Sequence, residues 1–210
     1  MFDPSGFGQG FGPYGSIEVI CGCMFSGKTE ELLRRLQRAK IARQKIQIFK
    51  PTIDDRYEKE FVVSHNQNKI LSTPVAKAQD ILRLLEDSTR VVGVDEAQFF
   101  DPFIVEAVER MSNRGLRVLV AGLDMDYLGQ PFGMMPQLMA LAESVTKLSA
   151  ICSTCGMPAT RTQRMGQETG QVIVGASGLY EARCRRHHHV VEAMITSPPV
   201  RTSIENSASL

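Results

Sequence analysis

The chain has 210 residues, 43% of them hydrophobic and 22% charged, with a formal net charge of +1 at pH 7. These values exclude a wholly disordered chain and argue against a protein that binds the nucleic-acid backbone over a broad surface. The chain has no apolar run of the roughly 20 residues that a membrane span needs, and it has no signal-peptide pattern. Its odd number of cysteines is typical of reduced thiols. We therefore expect a cytoplasmic protein without membrane attachment.

The predicted elements alternate between strand and helix. Strands are predicted over residues 17–20, 45–49, 91–94 and 117–121, and helices over residues 30–43 and 73–87, from Asp101-Pro102 to Gly115, and over residues 134–143. This order indicates an α/β fold with a parallel sheet and right-handed crossovers. We predict an α/β domain over residues 16–150, a small second domain over residues 151–191, and disordered segments over residues 1–15 and 192–210.

Residues 22–29, GCMFSGKT, fit the G-x-x-x-x-G-K-[ST] pattern of a P-loop at every defined position. A predicted strand precedes the motif and an amphipathic helix follows it, as the motif requires. Its glycines let successive backbone N–H groups turn inward onto phosphate oxygens, and the helix N-terminus adds positive potential. We therefore expect Lys28 to reach the β- and γ-phosphates of a nucleotide and the Thr29 hydroxyl to bind Mg²⁺.

An acidic pair, Asp95-Glu96, follows directly on the buried strand predicted over residues 91–94. In a P-loop protein a carboxylate at this position holds Mg²⁺, which is the role that Asp95 fits. Glu96, one residue farther on, is placed to accept a proton from an attacking hydroxyl group. It is equally suited to activating water, so the two motifs together predict phosphoryl transfer without naming the acceptor.

Two cysteine-containing pairs, Cys152-x₂-Cys155 and Cys184-x₂-His187, have the spacing of a zinc site. Four filled ligand positions leave no open coordination site, so we expect the zinc to be structural. His188 and His189 extend the histidine run, and spacing alone excludes neither as the fourth ligand. We favour His187 because it keeps the two-residue spacing.

Residues 50–57, KPTIDDRY, place acidic and basic side chains just past the end of a predicted strand. Strand ends of this sense form the ligand crevice in open α/β sheets. From the residues alone, a polar turn and a ligand-binding element are equally good interpretations.

The chain from about Ser16 to His189 resembles the thymidine kinases of the zinc-containing, cytosolic type. The likeness is carried by MFSGKT, KPTIDDRY, DEAQFF, GLDMDY…PFG and CSTC…GASGLYEARCRRH, in that order, with TQR between CSTC and GASGLYEARCRRH. The resemblance implies transfer of the γ-phosphate of ATP to the 5′-hydroxyl of thymidine or deoxyuridine, with Mg²⁺ bound alongside ATP, structural zinc, and a homotetramer. It also implies that the catalytic base is Glu96.

The resemblance further implies the binding residues. Those for ATP and its metal would be Gly22, Met24, Phe25, Ser26, Gly27, Lys28, Thr29, Asp54, Arg56, Asp95 and Gln98. The base would lie under a lasso loop, from about Met165 to Leu179, which the zinc holds in place. Residues lining the nucleoside pocket would be Met24, Phe99, Leu123, Tyr127, Phe132, Thr162, Val172, Ile173, Val174, Gly175 and Tyr180.

Two other functions fit part of the pattern. An ATPase or ATP-gated nucleic-acid module would use the zinc unit as its contact surface, but it leaves the D-x-R-Y and TQR elements unexplained and conflicts with the near-zero charge. An enzyme like adenylate kinase, with a zinc-stapled lid, would accept a nucleoside monophosphate instead of a nucleoside.

Overall fold

The computed structural model describes residues 14–52, 61–63, 69–165 and 179–190. The strands are β1 (Ser16–Gly22), β2 (Ile46–Pro51), β3 (Phe61–Val63), β4 (Lys69–Leu71), β5 (Thr73–Val75), β6 (Val91–Val94), β7 (Arg117–Gly122), β8 (Ser144–Leu148), β9 (Ala150–Ile151), β10 (Pro158–Ala159), β11 (Arg161–Arg164) and β12 (Tyr180–Arg183). The α-helices are α1 (Lys28–Ile41), α2 (Ala78–Leu84), α3 (Phe103–Asn113) and α4 (Met135–Leu141), and a 3₁₀ turn covers Ala97–Phe99.

Among the described residues, six strands form a sheet in the order β5-β2-β6-β7-β1-β8, and every neighbouring pair is parallel. This confirms the predicted α/β fold. Because all six strands run the same way, the loops that follow β1, β6 and β7 leave the sheet at the carboxyl ends of the strands. Lys28 follows β1 and Asp95 follows β6, so both segments start from this end of the sheet, and β7 lies between the two strands.

Helices cover both faces of the sheet. On one face, Leu32, Leu33 and Leu36 of α1 are buried against Ile20 of β1 and Leu119 of β7. Their 3.6-residue spacing is the reason that the segment forms a helix with a single apolar face. On the other face, α2, α3 and α4 contribute buried side chains to a second apolar cluster. Burying each such leucine contributes about 2 kcal/mol, so the two clusters supply much of the driving force for folding.

A partly buried ion-pair network joins α1 to the sheet. Arg35 donates to Glu18 of β1 over 2.7 Å and to Thr146 of β8 over 2.8 Å. Arg117 of β7 donates to the same Glu18 carboxylate over 2.6 Å. Since α1 begins in the P-loop, this network fixes the position of the P-loop helix relative to the sheet.

The predicted helix over residues 73–87 is wrong in its first part. Thr73–Val75 is strand β5, which pairs in parallel with β2 at the edge of the sheet, and the helix runs only over Ala78–Leu84. The Thr-Pro pair that resembles a helix start is compatible with β5 because an edge strand tolerates a residue without an N–H group. The helix start is stabilised instead by Asp101, whose carboxylate accepts the Ala78 N–H over 2.9 Å.

After β8, small antiparallel pairs replace the parallel sheet. β9 pairs with β10, and β11 pairs with β12. A small cluster of buried Ala150, Cys152, Ala159 and Ala182 fills the space between them and includes Cys23 of the P-loop. The division into domains over residues 16–150 and 151–191 stays a prediction. In the described part of the chain, no helix combines the length and apolar character needed to cross a membrane.

Candidate active site and metal centre

The P-loop has a backbone that requires glycine at two positions. Gly22 has a φ of 145°, and a Cβ atom there would lie 2.4 Å from the Leu148 carbonyl oxygen. Gly27, with a φ of 82°, lies in the left-handed region directly before α1 begins at Lys28. Phe25 also has a positive φ of 64° although it is not glycine, which is a strained conformation typical of functional loops.

Two P-loop side chains fold back onto one carbonyl group. The Lys28 ammonium and the Ser26 hydroxyl each donate to the Cys23 carbonyl oxygen over 2.8 Å. Burial lowers the pKa of Lys28, while the charges of Glu96, Cys23, Asp95 and Asp124 act in the opposite direction. The lysine thus lies in a negatively charged environment where bound phosphate would replace its intramolecular contact.

The acidic strand end has the arrangement that the sequence predicts. Asp95 follows β6, is 8% exposed, and accepts the Glu96 N–H over 3.0 Å. Burial, and then the neighbouring Glu96 charge, raise the pKa of Asp95 well above its ordinary value. A nearby cation stabilises the charged form of a buried carboxylate, so Asp95 fits the role of a magnesium ligand. Thr29, on the first turn of α1, is a second hard oxygen donor.

Glu96 has a strained backbone, with φ 51° and ψ 41° in the left-handed region. Its carboxylate accepts a hydrogen bond of 2.6 Å from the side-chain amide of Gln98. An unfavourable conformation of this kind persists where neighbouring contacts hold it. The side chain is therefore oriented by Gln98, which places Gln98 beside the candidate base.

The described residues expected to line the nucleoside pocket make four separate sets of contacts. Phe99 and Phe132 meet edge to face with centroids 5.4 Å apart. Met24 of the P-loop donates its N–H to the Thr162 hydroxyl of β11 over 3.1 Å. Gln98 accepts the Leu123 N–H over 2.9 Å.

Tyr127 and Tyr180 make the fourth set of contacts, through one arginine. The guanidinium carbon of Arg164 lies 3.6 Å from the Tyr127 ring centroid, and Arg164 donates to the Tyr180 hydroxyl over 3.0 Å. The other predicted site residues lie outside the residues that the structure describes: Asp54, Arg56, Val172, Ile173, Val174 and Gly175.

The predicted metal ligands come together. The ligand atoms of Cys152, Cys155, Cys184 and His187 all lie within 4.8 Å of one another. The Cys155 and Cys184 sulfurs are 3.8 Å apart, and His187 Nδ1 lies 3.3 Å from the Cys184 sulfur and 3.8 Å from the Cys152 sulfur. Tetrahedral zinc, with bonds of about 2.3 Å to sulfur and 2.0 Å to nitrogen, requires separations of about 3.8 and 3.5 Å. The cluster therefore fits a zinc ion.

The pKa values of two cysteine ligands shift in opposite directions. The Met157 backbone favours the Cys155 thiolate, but burial and the Cys152 and Cys184 side chains raise the pKa of Cys155. Burial opposes ionisation at Cys152, but backbone N–H groups and the His187 ring hold the pKa of Cys152 below its usual range, in the direction of the thiolate that binds metal. The other two histidines of the run have different contacts. His188 Nε2 bonds to the Tyr127 carbonyl oxygen over 2.9 Å, and the His189 N–H donates to the Gln163 side chain over 2.8 Å.

Sequence reasoning missed two charged residues near these sites. Asp124, which is 6% exposed, follows β7 and forms an ion pair of 2.7 Å with Lys147 of β8. Asp95 was identified as an acidic residue directly after a buried strand, and Asp124, two residues past the end of β7, carries a similar signal. Arg164 carries no such local signal, because its partners lie on a distant loop and on the next strand.

The comparisons with known proteins agree with each other. A family model described as thymidine kinase matches residues 15–188, a range that contains the P-loop, the acidic strand end and the cysteine–histidine cluster. The chain is also similar to a thymidine kinase of Rhodothermus sp. (strain ITI 518), with 58% identity over 175 residues. Those residues are 83% of this chain and 82% of the relative.

Proposed function

The chain belongs to the thymidine kinase family, and on this premise we propose that it transfers the γ-phosphate of ATP to the 5′-hydroxyl of thymidine or deoxyuridine. The observation that carries the proposal is the position of the P-loop and of Asp95-Glu96 at one edge of a parallel sheet, with both carboxylates acting on the Lys28 ammonium. A phosphate site and a candidate base beside it are the two parts that phosphoryl transfer to a hydroxyl requires.

The protein's part in the reaction is positioning and charge neutralisation. Backbone N–H groups of the P-loop and Lys28 would bind the β- and γ-phosphates. Asp95 and Thr29 would hold Mg²⁺, which supplies positive charge to the transferred group when bound. The proposal also assigns Asp54 and Arg56 to the metal and phosphates, on the strength of the D-x-R-Y element.

Glu96 is proposed as the base that accepts the proton of the 5′-hydroxyl. Its carboxylate is hydrogen-bonded to Gln98, which restricts the side chain to one orientation before the reaction. The same carboxylate would activate water if the acceptor site were open. A kinase therefore needs a pocket that seats the nucleoside and excludes water from the γ-phosphate.

The acceptor pocket is proposed to be lined by the aromatic and β11 side chains. Phe99 and Phe132 support each other, and Thr162 is tied to the P-loop through Met24. Leu123, Tyr127 and Tyr180 complete the described part of the wall. The proposal places Val172, Ile173, Val174 and Gly175 on the remaining side.

Zinc is proposed as a structural ion. All four ligand positions are supplied by the protein, which leaves no coordination site for a substrate. The cluster joins Cys152 and Cys155, which follow β9, to Cys184 and His187, which follow β12. The ion would therefore hold the end of β9 to the end of β12, the strand that carries Tyr180.

The remaining expectations belong to the same proposal. They are a nucleotide-binding domain over residues 16–150 and a zinc-binding domain over residues 151–191, a homotetramer, a cytoplasmic location, and no nucleic-acid partner. The five cysteines are all unpaired, which supports a reducing compartment. Light scattering coupled to size exclusion would test the tetramer.

The deciding experiment is transfer of labelled γ-phosphate from Mg·ATP with thymidine, deoxycytidine, thymidine monophosphate or water as acceptor. Label on thymidine, abolished in Lys28→Ala, is the expected result. Label on the monophosphate alone would indicate an enzyme like adenylate kinase. Label released only as inorganic phosphate would make Glu96 a water activator and overturn the proposal.

A further inference from the structure

Arg164, at the end of β11, is a buried arginine between two tyrosines. It is 3% exposed, although an arginine is rarely buried without compensating contacts. Its guanidinium carbon lies 3.6 Å from the centroid of the Tyr127 ring and 5.5 Å from that of Tyr180. Arg164 also donates to the Tyr180 hydroxyl over 3.0 Å. One cation therefore contacts the side chains of both tyrosines.

The two tyrosines belong to different elements of the fold. Tyr180 is the register partner of Arg164 across the β11–β12 pair, so their side chains lie on the same face of the ladder. Tyr127 belongs to the turn after β7, where the Asp126 carboxylate accepts the N–H groups of Leu128 and Gln130 over 2.9 Å each. Arg164 thus joins the turn after β7 to the small antiparallel pair.

The backbone at Tyr127 is held from a second direction. His188, the residue after the metal ligand His187, bonds through Nε2 to the Tyr127 carbonyl oxygen over 2.9 Å. With the backbone fixed by His188 and the ring stacked on Arg164, the side chain of Tyr127 has little freedom to turn. The burial of Asp126 raises its pKa, and the Arg164 charge acts against that rise, so the arginine also favours the charged form that accepts the two turn N–H groups.

An arginine suits this position better than a lysine would. A planar guanidinium stacks on an aromatic face and keeps in-plane N–H groups to donate to a hydroxyl at its edge. A lysine ammonium has the charge but cannot make both contacts in the same fixed geometry. The chemistry of the side chain thus matches a role in setting the angle and distance between two rings.

We propose that Arg164 is a positioning residue for the acceptor site: by stacking on Tyr127 and hydrogen-bonding Tyr180, it sets the separation of these two side chains in the wall of the nucleoside pocket. This inference rests on the proposed function, which assigns both tyrosines to the nucleoside pocket. Arg164 acts through the tyrosines and takes no part in the chemical step. Its loss should therefore weaken acceptor binding without changing the nucleotide site on β1 and β6.

The test compares Arg164→Met, Arg164→Lys and Tyr180→Phe with wild type, in steady-state assays that vary thymidine and Mg·ATP separately. Arg164→Met should raise KM for thymidine roughly tenfold or more and leave KM for ATP within about twofold. Arg164→Lys should fall between Arg164→Met and wild type, because it retains charge without stacking. The matched control is Arg183→Met, which alters an arginine on the neighbouring strand whose partner is Glu181.

A double-mutant cycle and the zinc content separate positioning from general destabilisation. If Arg164 acts through Tyr180, the effects of Arg164→Met and Tyr180→Phe on KM for thymidine should be less than additive. Zinc per chain should stay unchanged in every variant. If Arg164→Met does not fold, the KM values for thymidine and ATP of Arg164→Lys and Tyr180→Phe are compared with those of wild type instead.

The outcomes are distinguishable. If the wild-type protein does not phosphorylate thymidine, both the proposed function and this inference are overturned. Active wild type with an unchanged KM for thymidine in the Arg164 variants, or with KM for thymidine and ATP raised equally, overturns the inference alone.

Discussion

The side-chain amide of Gln98 holds the carboxylate of Glu96, with Nε2 donating to Oε2 over 2.6 Å. The opposite end of the amide accepts the Leu123 N–H over 2.9 Å. Because a backbone N–H can only donate, the oxygen of the amide must face Leu123 and the NH₂ group must face Glu96. Gln98 therefore links the 3₁₀ turn after β6 to the end of β7 and orients the candidate base.

Replacing Gln98 tests this relationship. Gln98→Met keeps the volume but removes both hydrogen bonds, so we expect kcat to fall about tenfold as Glu96 loses its orientation, with KM for ATP nearly unchanged. The buried Leu123 N–H loses its partner, which should cost about 1–3 kcal/mol of stability. Steady-state kinetics and urea unfolding measure the two effects.

Gln47→Met is the matched control for that change. The Gln47 side chain bonds to Leu84, Glu86 and Thr89 at the opposite end of the sheet from the P-loop. Its replacement should lower stability by a similar amount and leave kcat unaltered. A rise in KM for ATP in Gln98→Met would instead favour a direct role of Gln98 in nucleotide binding.

Glu96→Gln should lower kcat by about 10²–10⁴-fold because an amide cannot accept the proton of the 5′-hydroxyl. Binding of Mg·ATP, measured by calorimetry, should stay close to that of wild type, since Asp95 and the P-loop are intact. The control is Glu109→Gln, which changes an exposed carboxylate on α3 and should be fully active. Normal turnover by Glu96→Gln would contradict the assignment of the base.

Metal analysis of the purified protein should find about one zinc ion per chain. Cys184→Ser should lose the metal and unfold at a lower temperature, because its sulfur contacts both the Cys155 sulfur and the His187 ring. His189→Ala should keep the metal, since His189 contributes its backbone to Gln163 and its ring is not in the cluster. Zinc loss in His189→Ala with retention in His187→Ala would reassign the fourth ligand.

Acid should remove a stabilising contribution from Glu31 on α1. Hydrogen bonds from Arg34, and then Arg35, lower the pKa of Glu31 to about 2 from an ordinary value of 4.5. A carboxylate with a lowered folded-state pKa stabilises the fold above its unfolded pKa and loses that contribution as pH falls towards the folded pKa. The contribution should thus disappear between about pH 4.5 and pH 2.

Glu31→Gln measures this contribution. At pH 7 the variant should be less stable by about 1 kcal/mol, a value reduced by solvent screening because the Arg34 side chain is 59% exposed. The difference from wild type should shrink as the pH falls below about 4.5, and urea unfolding at several pH values would follow it. Zinc ligands protonate in both proteins and cancel in the difference. A difference that does not change with pH would contradict the charge-based explanation.

Glu106→Gln is the control for Glu31→Gln. Glu106 pairs with Arg110 on α3, but both side chains are about half exposed. Exposed pairs of this spacing contribute only about 0.3–0.5 kcal/mol, so the variant should unfold nearly as wild type does.

The sequence by itself determined the features that depend on short segments. The P-loop pattern at Gly22–Thr29, the acidic pair after a run of valines and the two metal-binding pairs each follow from a few adjacent residues, because backbone conformation and ligand spacing act locally. The parallel sheet followed from the alternation of strand and helix, which leaves few ways to bury both faces.

Tertiary structure decided the features in which distant segments meet. The Thr73-Pro74 pair is compatible with a helix start or an edge strand, and only pairing with β2 selects the strand. In the run of three histidines, the spacing favours His187 as the metal ligand, but only the fold directs His188 to the Tyr127 carbonyl oxygen. The contact of Arg164 with Tyr127 has no sequence signal at all, because side-chain packing between remote elements depends on the arrangement of the whole chain and not on any local pattern.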